Sequence, residues 1–145
     1  MMTRALLALA TLQIFAGALV AGLRAGKTYI TYPLMDGQLI PDGLTRLLPS
    51  WLNHLENITM VQFQHRWLAV ALALAVLAFA ALAKSLPARL RKALAHTVLL
   101  QFALGIATLL SVVNIALASA HQLGALLLAG LLMRVVYLSQ IKTAP

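Results

Sequence analysis

Cysteine is absent from the 145-residue chain, and acidic side chains nearly so: Asp36, Asp42 and Glu56 stand against eleven Lys and Arg. The first absence excludes disulfide scaffolds, thiolate zinc sites, cysteine-ligated iron–sulfur clusters and cysteine nucleophiles together. It leaves the four histidines as the main soft ligands. The scarcity of acids gives a net charge of +8. The basic residues nevertheless punctuate long apolar runs instead of forming a patch on a polar surface, so they imply no nucleic-acid partner. Charged residues make up only 10% of the chain and apolar ones 62%. That balance excludes a water-soluble globule.

What the sequence does contain is four apolar runs, at about residues 5–23, 61–83, 93–113 and 121–138. Each is close to the roughly 20 residues that a helix needs to cross a hydrocarbon core of about 30 Å. The first follows Arg4 and exceeds the roughly 7–15 residues of a signal-peptide core, so it reads as a retained helix. The second ends at a basic turn, residues 84–92, where Pro87 prevents simple continuation of the helix. The chain thus reads as one all-α membrane domain over 1–145, a four-transmembrane-helix bundle whose first connection is a long loop at about 24–60. Seven of the eleven basic residues, Arg4, Lys84, Arg89, Arg91, Lys92, Arg134 and Lys142, fall in short segments on one side. By the positive-inside rule both termini and the basic turn are expected on the cytoplasmic side and the long loop outside. The loop is rich in turn formers such as Pro33, Gly37, Pro41 and Gly43. Within it Leu44, Leu47, Leu48, Trp51, Leu52 and Leu55 recur at helical spacing, which predicts a short amphipathic helix over 44–57 with Trp51 at headgroup level.

The helices repeat in pairs. Leu12-Gln13-Ile14-Phe15-Ala16-Gly17 in the first run matches Leu100-Gln101-Phe102-Ala103-Leu104-Gly105 in the third, and His65-Arg66 opening the second corresponds to His121-Gln122 opening the fourth. Each half is then a helix pair ending in a histidine helix. Ionisable groups inside a membrane are costly unless paired or liganded. Two imidazoles at one depth, on helices running the same way, can approach one iron from opposite faces of a porphyrin and give a six-coordinate haem. Gly17, Gly105, Gly124 and Ala125 supply small residues for the flat macrocycle to lie against. A lone histidine at such a position more often caps its helix or bonds at the interface; the repeated, depth-matched pair favours His65 and His121 as iron ligands. His54, in the outer loop, reads as solvated, and His96 as facing cytoplasmic headgroups. Arg66, Arg24 and Lys27 fall at the outer interface, within reach of either haem propionates or lipid phosphates. Gln13 and Gln101 read as buried amides that bond between helices.

Several segments carry a family resemblance: Gly22-Leu23-Arg24-Ala25-Gly26, Thr31-Tyr32-Pro33-Leu34-Met35-Asp36-Gly37, Leu39-Ile40-Pro41-Asp42, Glu56-Asn57, Val61-Gln62-Phe63-Gln64-His65-Arg66 and Ala120-His121-Gln122-Leu123-Gly124-Ala125. Together they resemble the C-terminal half of the heme A synthase family over nearly the whole chain. The resemblance implies a relationship to eight-helix proteins made of two similar four-helix halves, which convert haem O to haem A for cytochrome oxidases by oxidising a ring methyl to a formyl group. It also implies that His65 and His121 match the C-terminal histidine pair, which holds a haem b with bis-histidine iron ligation. The family's N-terminal half has a glutamate three residues before its first histidine; Gln62 stands there in this chain, and a neutral amide cannot take up a proton.

No catalytic residue is therefore assigned, and whether the chain is itself an enzyme stays open. With four helices it reads as a fragment, as one half of a split enzyme with a complementary N-terminal-type half, or as a homodimer that rebuilds eight helices. Besides the lipid bilayer and the haem b, the resemblance implies haem O synthase and cytochrome oxidase as partners. The preferred role is the haem b electron-transfer half; the alternatives are a non-enzymatic haem carrier or oxidase-assembly module, and a b-type cytochrome subunit. The Pro33-Leu34-Met35-Asp36-Gly37 segment argues for the synthase family, because neither alternative explains it.

Overall fold

The computed structural model describes residues 1–141; Lys142, counted above with the cytoplasmic basic residues, lies outside them. Ala- and Leu-rich runs have high helix propensity, and only a helix pairs the backbone groups of a single segment in the absence of water. The runs accordingly fold as α1 (Met2–Gly22), α3 (Ile58–Leu82), α4 (Ala88–Leu110) and α5 (Ile115–Ile141), with a short α2 (Asn53–Glu56) in the long loop. The four long helices have 21, 25, 23 and 27 residues and are apolar enough to cross a membrane. Among the described residues there is no extended strand, only an isolated bridge between Met35 and Gln38. The protein is all-α and integral to a membrane.

Helix ends are set by polar residues that the apolar runs do not reveal. Asn57 caps α3, its Oδ1 accepting from the backbone N–H of Thr59 at 3.0 Å and of Met60 at 3.4 Å. Asn114 caps α5, accepting from Ala116 at 3.0 Å and Leu117 at 3.4 Å. The connection expected at 114–120 is therefore mostly helix, and neither His65 nor His121 opens its helix: each lies about two turns inside. The turn between α4 and α5 is tight, with Val112 at φ 56° and Val113 at φ 63°. Left-handed backbone is unfavourable for a β-branched residue. The turn brings Val113 against the first connection, where a Cβ added to Gly26 would stand 3.0 Å from Val113 Cγ2.

The amphipathic helix expected over 44–57 is present only in its last part, as a 3-10 turn Ser50–Leu52 followed by α2. Pro49 disfavours helical backbone before it and offers no N–H. Asn53 supplies the missing bonds, taking the Leu47 N–H on Oδ1 at 2.9 Å and donating to the Leu47 and Ser50 carbonyls, each at 2.9 Å. Trp51 is 60% exposed.

The long helices form a ring in which α1 and α4 each pack against both α3 and α5, leaving α3 and α5 diagonal to one another. Alternating connections make the diagonal helices parallel. The main buried apolar cluster gathers at the end that carries the basic turn, drawn from the first half of α1 and α4 and the second half of α3 and α5, with Leu6, Val76, Leu94, Val98, Leu132 and Val135 among its members. Towards the loop end the buried residues of these helices are Ala16, Thr59, Val61 and Gln62, and the two histidines lie half-buried at that end.

Candidate functional site

The parallel, diagonal arrangement of α3 and α5 puts His65 and His121 at matching levels on opposite sides of the bundle. Each ring lies on a neighbouring helix at a glycine. A Cβ on Gly17 of α1 would stand 3.1 Å from His65 Cε1, and one on Gly105 of α4 would stand 2.9 Å from His121 Cε1. Four residues before each glycine, on the same helix face, comes a glutamine. Gln13 Nε2 lies 3.1 Å from His65 Nδ1 and donates to the His65 carbonyl at 3.2 Å. Gln101 Nε2 donates to the His121 carbonyl at 2.9 Å. Gln13 and Gln101 thus bond between helices, as their buried amides suggest, and each bonds to the helix of a histidine.

Three polar atoms of this cluster are buried without a hydrogen-bond partner: Gln13 Oε1, Gln101 Oε1 and His121 Nδ1. Such groups are uncommon in folded proteins and mark places where a ligand or a rearrangement completes the bonding. Among the described residues no three His, Cys, Asp or Glu side chains stand together to hold a bare ion. A histidine pair suits instead an iron that brings its own equatorial ligands, as a porphyrin iron does.

Arg66 follows His65 but turns to the loop. Its Nη1 donates to the Thr31 carbonyl at 2.8 Å and its Nη2 to the Tyr29 carbonyl at 2.7 Å, so the guanidinium ties down loop backbone. Gln62, 2% exposed, donates to the same Tyr29 carbonyl at 2.8 Å. Farther along, Tyr32 meets Phe102 of α4 edge to face, with ring centroids 6.3 Å apart. The loop therefore folds over the end of the bundle nearest the histidine pair. Asn57 also holds it, donating to the Gly43 carbonyl at 2.8 Å. Asn57 had a readable signal, an amide just ahead of an apolar run. The Arg66 contacts had none, because backbone carbonyls have no sequence signature.

The other two histidines stand apart. His54 is exposed but not simply solvated: its Nδ1 lies 3.1 Å from Gln64 Oε1, and Gln64 Nε2 donates to its carbonyl at 2.8 Å. His96 is exposed near the basic end, with Nδ1 2.7 Å from the Lys92 carbonyl one turn back. Arg24 and Lys27 are exposed at the loop end.

Four membrane-length helices in a ring, with imidazoles on the diagonal pair and a folded loop over one end, define a multi-pass membrane protein with an interior polar site. The chain belongs to the COX15-CtaA family, described as cytochrome oxidase assembly protein, which matches residues 1–133. It is similar to a protein named heme A synthase from Rhodospirillum centenum, at 51% identity over 139 residues, covering 92% of this chain and 37% of that protein. Proteins of the same name from Nitrosospira multiformis and from Wolbachia pipientis of Culex pipiens are 47% and 45% identical over 126 and 125 residues. These matches cover 83% and 86% of this chain and 35% and 37% of the two relatives. The chain thus spans a little over a third of the length of the curated relatives it matches. No solved structure matches it.

Proposed function

We propose that the chain acts in haem A biosynthesis as the half of a heme A synthase that would hold a haem b, with His65 and His121 as the residues that would bind its iron. The observation that carries this reading is the duplicated arrangement of a histidine lying on the glycine of a neighbouring helix, with a glutamine one turn from that glycine. The fit is favourable in three respects. The donor set is two imidazoles with no thiolate; His121 has a buried ring nitrogen without a partner; and both rings pass so close to glycine backbone that any larger residue would displace them.

The residues divide the work. His65 and His121 each offer a nitrogen lone pair from opposite sides of the bundle. Gly17 and Gly105 let the rings lie flat on α1 and α4. Arg66 and Gln62 fasten residues 29–34 over the site by their backbone carbonyls and restrict access of water. Haem held by two histidines supplies a one-electron couple without an open coordination position, which suits electron supply and not oxygen activation. Gln62, a buried amide already bonded to Tyr29, takes up no proton. We therefore assign oxidation of the haem O methyl group to a complementary half or a second copy of the chain, with haem O synthase and cytochrome oxidase upstream and downstream. The basic end faces the cytoplasm of a bacterial inner membrane, with both termini, and the long loop faces outward.

The test is haem content of the purified full chain in detergent, with oxidised and reduced absorption spectra. About one low-spin haem b per chain is expected, as bis-histidine ligation requires. His65→Ala and His121→Ala should each abolish it, and a double variant that keeps both haem and spectrum overturns the assignment. The lack of a carboxylate at position 62 favours a second reading, a haem-carrying module with no oxidation step. Haem A formation on co-expression with a Glu-containing N-terminal-type half would reject it.

A further inference from the structure

At the basic end, away from the histidines, the start of α1, the end of α5 and the α3–α4 turn enclose a groove of about 340 Å³. Its floor is apolar, formed by Met2, Phe79, Leu86 and Leu138. Phe79 and Leu86 also belong to the main packed cluster, and Phe79 lies about one turn inside the end of α3, so the groove leads from the helix ends into the apolar interior. Its rim is polar: Thr3, Ser85 and Ser139 line it, and the hydroxyls of Thr3 and Ser139 stand 3.3 Å apart. Basic residues adjoin this rim. Arg4 follows Thr3 and Lys84 precedes Ser85, both exposed. Arg134, also exposed, comes one turn before Leu138 on the same face of α5. No acidic side chain serves them, because Asp36, Asp42 and Glu56 all belong to the loop at the opposite end. The counter-charge must come from outside the chain.

We infer that this groove is a binding site for an anionic phospholipid, which lays part of an acyl chain on Phe79, Leu86 and Leu138 and sets its phosphate at the hydroxyl rim among Arg4, Lys84 and Arg134. Basic pockets between membrane helices suit such headgroups. A free phosphate would satisfy the charges and leave the apolar floor to water. A zwitterionic lipid would cover the floor but bring a cation of its own to a site already rich in them. An anionic lipid meets both demands. The inference goes beyond the haem-binding reading and does not depend on it; it rests on the membrane-spanning fold and the asymmetry of charge along it.

The experiment strips lipid from the full-length chain in mild detergent, adds back dioleoyl phosphatidylglycerol or dioleoyl phosphatidylcholine, and counts the lipids retained per chain by native mass spectrometry. One phosphatidylglycerol should bind at least about tenfold more tightly than phosphatidylcholine, and an excess of inorganic phosphate should not displace it. Arg4→Gln and Lys84→Gln should each weaken it about fivefold, the effect of roughly 1 kcal/mol per basic residue beside an anionic headgroup. Lys92→Gln removes the same charge from α4, which supplies none of the groove's lining among the described residues, and should leave binding nearly unchanged. Ala83→Trp, which fills the groove from its side, should abolish retention. Should that variant not fold, the two charge variants at exposed positions decide the matter. Equal retention of the two lipids, retention unchanged in Arg4→Gln and Lys84→Gln, or displacement by inorganic phosphate overturns the inference. Binding that appears only after residues 142–145 are removed overturns it too, by giving the groove to the chain itself.

Discussion

Gly105 faces a ring atom at a distance that no substituted residue tolerates without movement. In a helix, Gly→Ala ordinarily gains about 0.5–1 kcal/mol by restricting the unfolded chain and favouring helix. In Gly105→Ala the new Cβ falls 2.9 Å from His121 Cε1, so the imidazole must turn off its axis. The haem-free variant is expected to melt no lower than wild type by circular dichroism, while its haem content falls well below that of the parent. Unchanged haem content would show that ring orientation is not set by this contact. At this scale the sequence was legible where a pattern recurred: two histidines, two glutamines and two glycines at matching offsets single themselves out. It was silent on Arg66, read as a partner for anions, because the choice between propionate, phosphate and carbonyl depends on where the loop backbone runs.

Among elements, hydropathy locates a helix but capping decides where it begins. The apolar runs at 61 and 121 start three and six residues after the helices do, because Asn57 and Asn114 are polar and escape a search for apolar runs. Asn57→Ala removes a cap worth about 1 kcal/mol. It also removes the bonds to the Gly43 carbonyl and, at 2.9 Å, to Asn53 Oδ1. We expect a total loss of about 2–3 kcal/mol, seen as lower thermal stability and faster proteolysis between residues 43 and 56. Cleavage unchanged from wild type would mean that the loop is held elsewhere. The α4–α5 turn makes the opposite prediction. Val112 is 49% exposed and has φ 56°, so little packing offsets its strained backbone. Val112→Gly should raise stability by about 1 kcal/mol in reversible denaturation, and a decrease would show that the valine side chain matters more than the strain. The loop helix was the least legible element, since leucines at helical spacing predicted fourteen residues where Pro49 and Asn53 permit far fewer.

For the whole molecule, charge asymmetry is the organising fact. Every acid, Asp36, Asp42 and Glu56, belongs to the loop end, while the basic turn and Arg4 occupy the other. A chain without cysteine offers a clean test of orientation, because any thiol introduced is the sole one. A membrane-impermeant maleimide applied to intact cells should label Ser50→Cys and should label Ser85→Cys only after the membrane is opened. The reverse pattern would invert the bundle. The architecture as a whole was readable from apolar run length, since a membrane leaves a backbone few choices. The pairing of helices around the ring was not, because Leu and Ala packing against lipid or against a neighbour reads the same in sequence.

The uneven distribution of packed side chains along the membrane normal gives the bundle the mechanics of a clothes-peg. Tight interdigitation at the basic end acts as the spring, and the opposite half, lined by imidazoles, amides and glycines, forms the jaws. Opening free energy is therefore graded, smallest where a flat guest would slide in and largest where the helices are clamped. On the haem-binding reading proposed above, a peg of this kind can be loaded after it is made, because the packed end holds the helices together whether or not the jaws are filled.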